Sequence, residues 1–242
     1  KKDIEILKNT MSSAEFSQEI MAEYLDDKYN AIPRELIEKA IDSNIELINQ
    51  GNKDIVYYAG IDLGRKRDNS VIIIGHKVNE NIYIDYIKAF EISKLDSTFW
   101  NRVIEHITFL PLQFNLSKMC IDETGLGDPV VQLIKTKLTK LNLSTQIDGF
   151  NFSHQSKNNW EGVVNQMVIK FERGLIHLPQ HKILQQQLNN LIRKVTNSGV
   201  QVFSNIGRID YVMALSLLIK SIPNVELFSY SVGNKMEILN NK

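Results

Sequence analysis

With 242 residues, 43% of them hydrophobic, the chain carries enough apolar mass for one large α/β domain or one domain with a small appendage. Its 28 Lys and Arg balance 28 Asp and Glu, so it lacks the strongly basic footprint usual in proteins that hold nucleic acid by charge. Cys120 is the only cysteine, which excludes an intrachain disulfide and a cysteine-rich zinc site and fits a reducing compartment. No apolar run approaches the roughly 18–20 residues of a membrane-crossing helix, and no signal peptide opens the chain.

The chain begins at Lys1 rather than Met, which reads as a piece of something longer. The first 54 residues read as a helical linker segment. Ser12-x-x-Glu15 has the form of a capping box, and Phe16, Ile20 and Tyr24 mark one helix face. A second short helix is predicted from Pro33, carrying Ile37 and Ile41 inward. Residues 43–54 are polar and read as the linker into a domain spanning 55–223, with 224–242 left as a tail.

From Ile55 the pattern turns to strands. Residues 55–62 form a nearly continuous apolar run, as a strand covered on both faces requires. Residues 71–78 and 82–90 are two further strands, joined by an Asn79-Glu80-Asn81 turn, giving an antiparallel meander. Strands and helices then alternate: helix 97–110, strand 118–122, helix 128–141, strand 145–150 and helix 159–173. An extended piece at 175–179, a helix at 181–195, a peripheral strand at 200–203 and a helix at 210–222 stopped by Pro223 complete the order. A meander followed by strands alternating with helices predicts a mixed sheet flanked by helices on both faces.

Three aspartates fall at element ends. Asp62 closes the first strand before Leu63-Gly64, Asp122 closes Met119-Cys120-Ile121 before Glu123-Thr124-Gly125, and Asp210 opens an apolar helix. A carboxylate inside an apolar element is costly unless paired or metal-bound, and ligand sites in such sheets gather where strands end. Three converging carboxylates suit a hard cation such as magnesium or manganese. For each one alone a turn-forming or helix-capping role stays equally open.

These residues carry a family resemblance. Tyr58-Ala59-Gly60-Ile61-Asp62-Leu63-Gly64 with Asp68-Asn69-Ser70 resembles the first nuclease motif of phage terminase large subunits. Cys120-Ile121-Asp122-Glu123-Thr124-Gly125-Leu126-Gly127 is similar to the second, and Asp210-Tyr211-Val212-Met213-Ala214-Leu215-Ser216 to the third. Gly174-Leu175-Ile176-His177-Leu178-Pro179 follows the family spacing, and Phe16-Ser17-Gln18-Glu19 with Ile32-Pro33 looks like its linker between ATPase and nuclease. The resemblance spans most of residues 10–222. It implies an RNase H-like fold and an endonuclease that cleaves concatemeric double-stranded viral DNA during packaging in the host cell cytoplasm. It further implies two divalent cations, Mg2+ or Mn2+, with Asp62 bridging, Asp122 and Asp210 each completing one, and Asp68 auxiliary unless it is only a turn residue. The implied partners are double-stranded DNA, an ATPase domain of the same polypeptide, a portal protein and a small terminase subunit. One departure is Ile209, where the family often carries an acid beside Asp210. Another is the lack of a Gly-x-x-x-x-Gly-Lys-[Ser/Thr] loop, so ATP-driven translocation is expected to lie outside this chain.

Among the remaining residues, Lys157, Arg65, Lys66 and Arg208 are candidates for phosphate contact, each also readable as a solvated surface cation. Ser153 stands beside Lys157 where the family tends to carry a serine. Glu123 is expected to face away from Asp122, Asp148 to form a turn before Gly149, and Asp85 to lie on the wet face of its strand. Cys120 reads as a buried thiol, and Trp100 and Trp160 as core anchors on helices. The five histidines show no metal-ligand spacing. Two alternatives stand beside the terminase reading. A junction resolvase, transposase or ribonuclease H would keep the fold and change the substrate. An actin-like ATPase would use Gly60-Ile61-Asp62-Leu63-Gly64 around a phosphate, but needs a second glycine-rich loop that the chain lacks.

Overall fold

The computed structural model describes residues 28–64, 69–91, 98–124, 127–152, 159–195, 201–205 and 207–223. Its centre is strand β2 (Tyr57–Asp62), counted after the short β1 (Lys28–Asn30). Antiparallel to β2 runs β3 (Ser70–Val78), followed by β4 (Asn81–Phe90). On the other side of β2 lie β5 (Leu116–Asp122) and then β6 (Gln146–Phe150), both parallel, while β7 (Ile176–His177) adds to β4. The sheet order is β6-β5-β2-β3-β4-β7. The predicted meander-then-parallel sheet is therefore present.

Alternation along the strands divides the core in two. Ala59 and Ile61 of β2 point to the side covered by α2 (Phe99–Gln113) and α3 (Gly127–Lys140), together with Ile72, Ile74, Ile107 and Ile134. The opposite face, with Val71, Ile73 and Ile84, packs on α4 (Asn159–Glu172), α5 (Lys182–Asn189) and α6 (Asp210–Ser221). Because both faces of the central strands are covered, their sequence reads as a nearly unbroken apolar run.

The hairpin between β3 and β4 forms where predicted. Val78 pairs with Asn81, and Asn79 takes φ 55°, a left-handed conformation that Asn adopts more readily than most residues. A register shift between Ile74 and Gly75 then places a bulge at Asp85. Asp85 stays on the side of Tyr83 and His76, and its Oδ2 lies 2.6 Å from His76 Nδ1 with 15% of the side chain exposed. The expected wet-face position is thereby corrected.

Three more expectations change. The helix predicted to end at Leu110 runs to Gln113 through Pro111, because in the last turn the missing proline N–H costs one bond and Phe114 N–H still reaches Leu110 O at 2.8 Å. The helix predicted over 181–195 stops at Asn189. Leu184, Leu188, Leu191 and Val195 mimic a helix face, but Leu191–Val195 forms β8, held between β1 and β9 (Gln201–Asn205). In that small sheet Arg193 is 4% exposed, whereas Lys194 beside it is exposed. Finally, α1 (Arg34–Ala40) begins one residue after Pro33, with Ile37 buried, while Ile41 is half-buried and bridges Leu178.

The polar stretch 43–54 is tied down. Ile48 N–H donates to Asp85 O at 2.8 Å, Gly51 N–H to Gln113 O at 2.9 Å and Asn52 N–H to the Tyr57 hydroxyl at 3.0 Å. Ala31, Ile32, Ile37 and Ala40 belong to the same core as α6. The predicted helix near residues 12–24 lies outside the described residues.

On the α2 face, the Tyr86 hydroxyl lies 2.8 Å from His106 Nε2. Burial, reinforced by Lys88, pushes the His106 pKa below its usual value. A depressed histidine contributes stability that is complete above about pH 6.5 and is lost as pH falls, because the unfolded chain binds the proton first. We expect His106→Gln to flatten the decline of the urea midpoint between about pH 7 and pH 5, and an unchanged slope would refute this role.

Candidate metal centre

The site is assembled from the parallel pair β2–β5. Ile61 pairs with Ile121, so the next residues, Asp62 and Asp122, end neighbouring strands abreast, at a strand spacing of about 4.8 Å. Their faces follow from their neighbours. Asp62 lies opposite Val71 and two residues beyond Gly60, on the α6 side, and Cys120, two before Asp122, packs on Leu217 of α6.

Asp210 arrives from the opposite direction. A Cβ at Gly60 would overlap the Ala214 carbonyl oxygen and the Leu218 nitrogen, so α6 rests directly on β2 at this point. Leu218 also touches Gly75, the partner of Tyr58, one step lower on the sheet. Helix and strand are therefore antiparallel. From Gly60 to Asp62 the strand climbs about 6.6 Å, and from the Ala214–Leu218 contact back to Asp210 the helix climbs about 6–12 Å. The start of α6 thus reaches the level at which Asp62 and Asp122 end. The three side chains are 8%, 8% and 5% exposed.

An all-oxygen donor set of this kind, half-enclosed beside a helix N-terminus, fits a hard divalent cation in its chemistry. As the side chains stand, no three His, Cys, Asp or Glu among the described residues are grouped as a metal site.

Around them, Asp122 also forms the turn anticipated for it. The Thr124 N–H donates to Asp122 Oδ1 at 2.7 Å. Gly64 N–H donates to Ser70 Oγ at 3.1 Å, tying the two ends of the β2–β3 loop. Arg208, exposed just before α6, reaches Asn69 Oδ1 at 3.4 Å and so stands on the rim between that loop and the helix start. Asp68, Arg65, Lys66, Ser153 and Lys157 lie outside the described residues.

The rival carboxylates go elsewhere. A Cβ at Gly149 would run into the Glu123 carboxylate. Gly149 pairs with Ile121 on the α2–α3 face, so Glu123 points away from Asp122, as expected. Asp148 sits within β6 rather than in a turn, 2.6 Å from Lys118 Nζ, and that ammonium holds its carboxyl below the usual range. Tyr57, His76, Tyr83 and His177 are cross-strand neighbours on the α2–α3 side, with His76–Tyr83 and Tyr83–His177 ring centroids 5.3 and 4.5 Å apart. His76 is engaged with Asp85 and His177 with Asn81, on the side of the sheet away from Asp62 and Asp122.

Beneath the site, Cys120 is buried, and burial pushes its thiol up to about 12. Trp100 is half-buried against the α2 core, while the Trp160 side chain lies outside the described residues. We expect Cys120 to resist a thiol reagent at neutral pH in the folded protein and to react once urea unfolds it. Rapid labelling of the native chain would contradict the packing described.

Sequence reasoning misses two residues that shape the site. Gly60 reads there as part of a motif, although a glycine inside a central apolar strand also signals close backbone approach. Thr124 carries no signal beyond its place in the second motif.

No family model matches the chain. The terminase large subunit of Thermus virus P23-45 is 22% identical over 169 residues, covering 68% of this chain and 31% of that protein. The chain thus spans about a third of the length of the curated relatives it matches. The large terminase nuclease from thermophilic phage G20c, solved with bound magnesium, superposes with a TM-score of 0.61 at 20% identity, covering 79% of this chain and 96% of that one. That nuclease has also been solved with cobalt and with zinc. The large terminase of bacteriophage HK97 gives a TM-score of 0.58 at 15% identity, covering 79% of this chain and 43% of that one. The fold is that of these large terminase nucleases, and the resemblance to phage terminase large subunits is borne out in the fold.

Proposed function

We propose that this chain is the nuclease domain of a terminase large subunit, a metal-dependent endonuclease that cuts double-stranded viral DNA concatemers during genome packaging. The observation that carries the reading is the arrangement of Asp62 and Asp122 at the ends of adjacent parallel strands, with the N-terminus of α6 and Asp210 brought level with them. The G20c nuclease, of the same fold, holds magnesium, and the chemistry of the three aspartates suits the same ion.

Asp62 lies centrally and is the proposed shared ligand, with Asp122 and Asp210 each completing one of two sites and Asp68 auxiliary. Two divalent cations, Mg2+ or Mn2+, would supply Lewis-acid stabilisation of the attacking and leaving oxygens of an in-line displacement at phosphorus. The carboxylates fix where that charge accumulates, and their burial keeps bulk water from competing. Arg208 on the rim, with Arg65, Lys66 and Lys157, would hold DNA phosphates. A balanced net charge gives the domain little non-specific grip. DNA is therefore expected to be delivered by the ATPase domain, the portal protein and the small subunit, with residues 1–54 leading in from the motor and 55–223 forming the catalytic unit.

The deciding experiment offers linear and supercoiled duplex, a four-way junction and an RNA–DNA hybrid, each with magnesium or manganese. Duplex cutting is expected. Preference for the junction or the hybrid would overturn the packaging role while leaving a nuclease, and absence of cutting on every substrate would overturn the nuclease itself.

A further inference from the structure

We propose that Thr124 is a positioning residue for Asp122, acting as the hinge pin that locks the carboxylate to the exit of the neighbouring strand; this rests on the nuclease reading above. β5 and β6 remain zipped just past their ends, where Glu123 N–H donates to Phe150 O at 2.9 Å. The next N–H on the β6 side, that of Phe152, is accepted by the Thr124 hydroxyl oxygen at 2.9 Å. The Thr124 backbone N–H in turn donates to Asp122 Oδ1 at 2.7 Å. One residue therefore joins two loops and one carboxylate, its side chain fixing where its own N–H stands.

The chemistry gives this contact its consequence. Asp122 is nearly buried, and Thr124 holds its Oδ1 through the backbone N–H while its hydroxyl holds the loop leaving β6. A ligand held in advance pays less ordering cost when it binds a cation, and partners of this kind typically change metal affinity or activity by about 10–100-fold. Thr124→Val keeps the shape and the backbone N–H but removes the oxygen that accepts from Phe152. Thr124→Ser keeps that oxygen.

The test is a manganese titration by calorimetry on the protein without DNA, alongside the manganese dependence of duplex cleavage. Thr124→Val is expected to weaken manganese binding about tenfold and to raise the half-saturating manganese for cleavage in step, while Thr124→Ser stays within about twofold of the parent. A purely structural role would lower the melting temperature without moving the metal midpoint. Thr124→Ala serves as the second variant where Thr124→Val does not fold. The inference is overturned if the hydroxyl-free variant binds manganese like the parent, or if Thr124→Ser is as weak as Thr124→Val. A parent protein that binds no divalent cation and cuts no DNA would instead overturn the nuclease reading itself.

Discussion

Asp62→Ala is expected to reduce metal-dependent DNA cleavage by roughly 10³-fold or more, to the level of the assay background. Asp62 ends the central strand beside Asp122, and its loss removes the ligand proposed to be shared by both cations. Losing both cations forfeits several kcal/mol of transition-state stabilisation, and each ~1.4 kcal/mol is tenfold in rate. The fold should not suffer. Asp62 is 8% exposed and sits near two other acids, so neutralising it relieves repulsion in the metal-free protein. Cleavage of supercoiled plasmid with manganese, read beside the melting temperature, checks both halves. Parent-like cutting by Asp62→Ala would remove this aspartate from the mechanism, and Asp62→Asn should fail like Asp62→Ala because charge, not shape, is the requirement.

Gly60→Ala tests the fold and the site together. Its new methyl group would overlap the Ala214 carbonyl oxygen and the Leu218 nitrogen, which are backbone atoms of α6 and cannot swing aside. The helix must lift from the sheet, an overpacking cost of about 2–3 kcal/mol, or roughly 5–10 °C in Tm for a domain of this size. Because Asp210 rides on the first turn of that helix, manganese affinity should fall even in the fraction that remains folded. Gly149→Ala is the matched control. The atoms nearest its Cβ belong to the flexible Glu123 carboxylate, and it should cost well under half as much. Equal melting temperatures for the two variants would mean that the close approach of α6 to β2 is not obligatory.

The errors of sequence reasoning have a common origin. Residues 181–195 keep a helical apolar spacing throughout, yet only the availability of β1 and β9 as partners turns Leu191–Val195 into a strand. Asp85 alternates correctly for a solvent position, yet its carboxylate meets His76 of the neighbouring strand, a partner invisible in its own strand's sequence. In each case the local pattern is sound and non-local pairing outweighs it.

What the amino-acid order determined by itself is the succession of elements, the apolar character of the central strands, and the placement of Asp62, Asp122 and Asp210 at element ends. These follow from short-range physics: side-chain period, turn chemistry, and the cost of a carboxylate inside an apolar run. Only the tertiary structure decided that Asp62 and Asp122 end side by side, that Glu123 and Asp148 are engaged elsewhere, and that the start of α6 lies at the end of the sheet where they stand. The reason is that strand register and helix height are set by contacts between residues far apart in the chain. Here they turn on the parallel β2–β5 register and on one missing Cβ at Gly60, which lets α6 lie against the sheet.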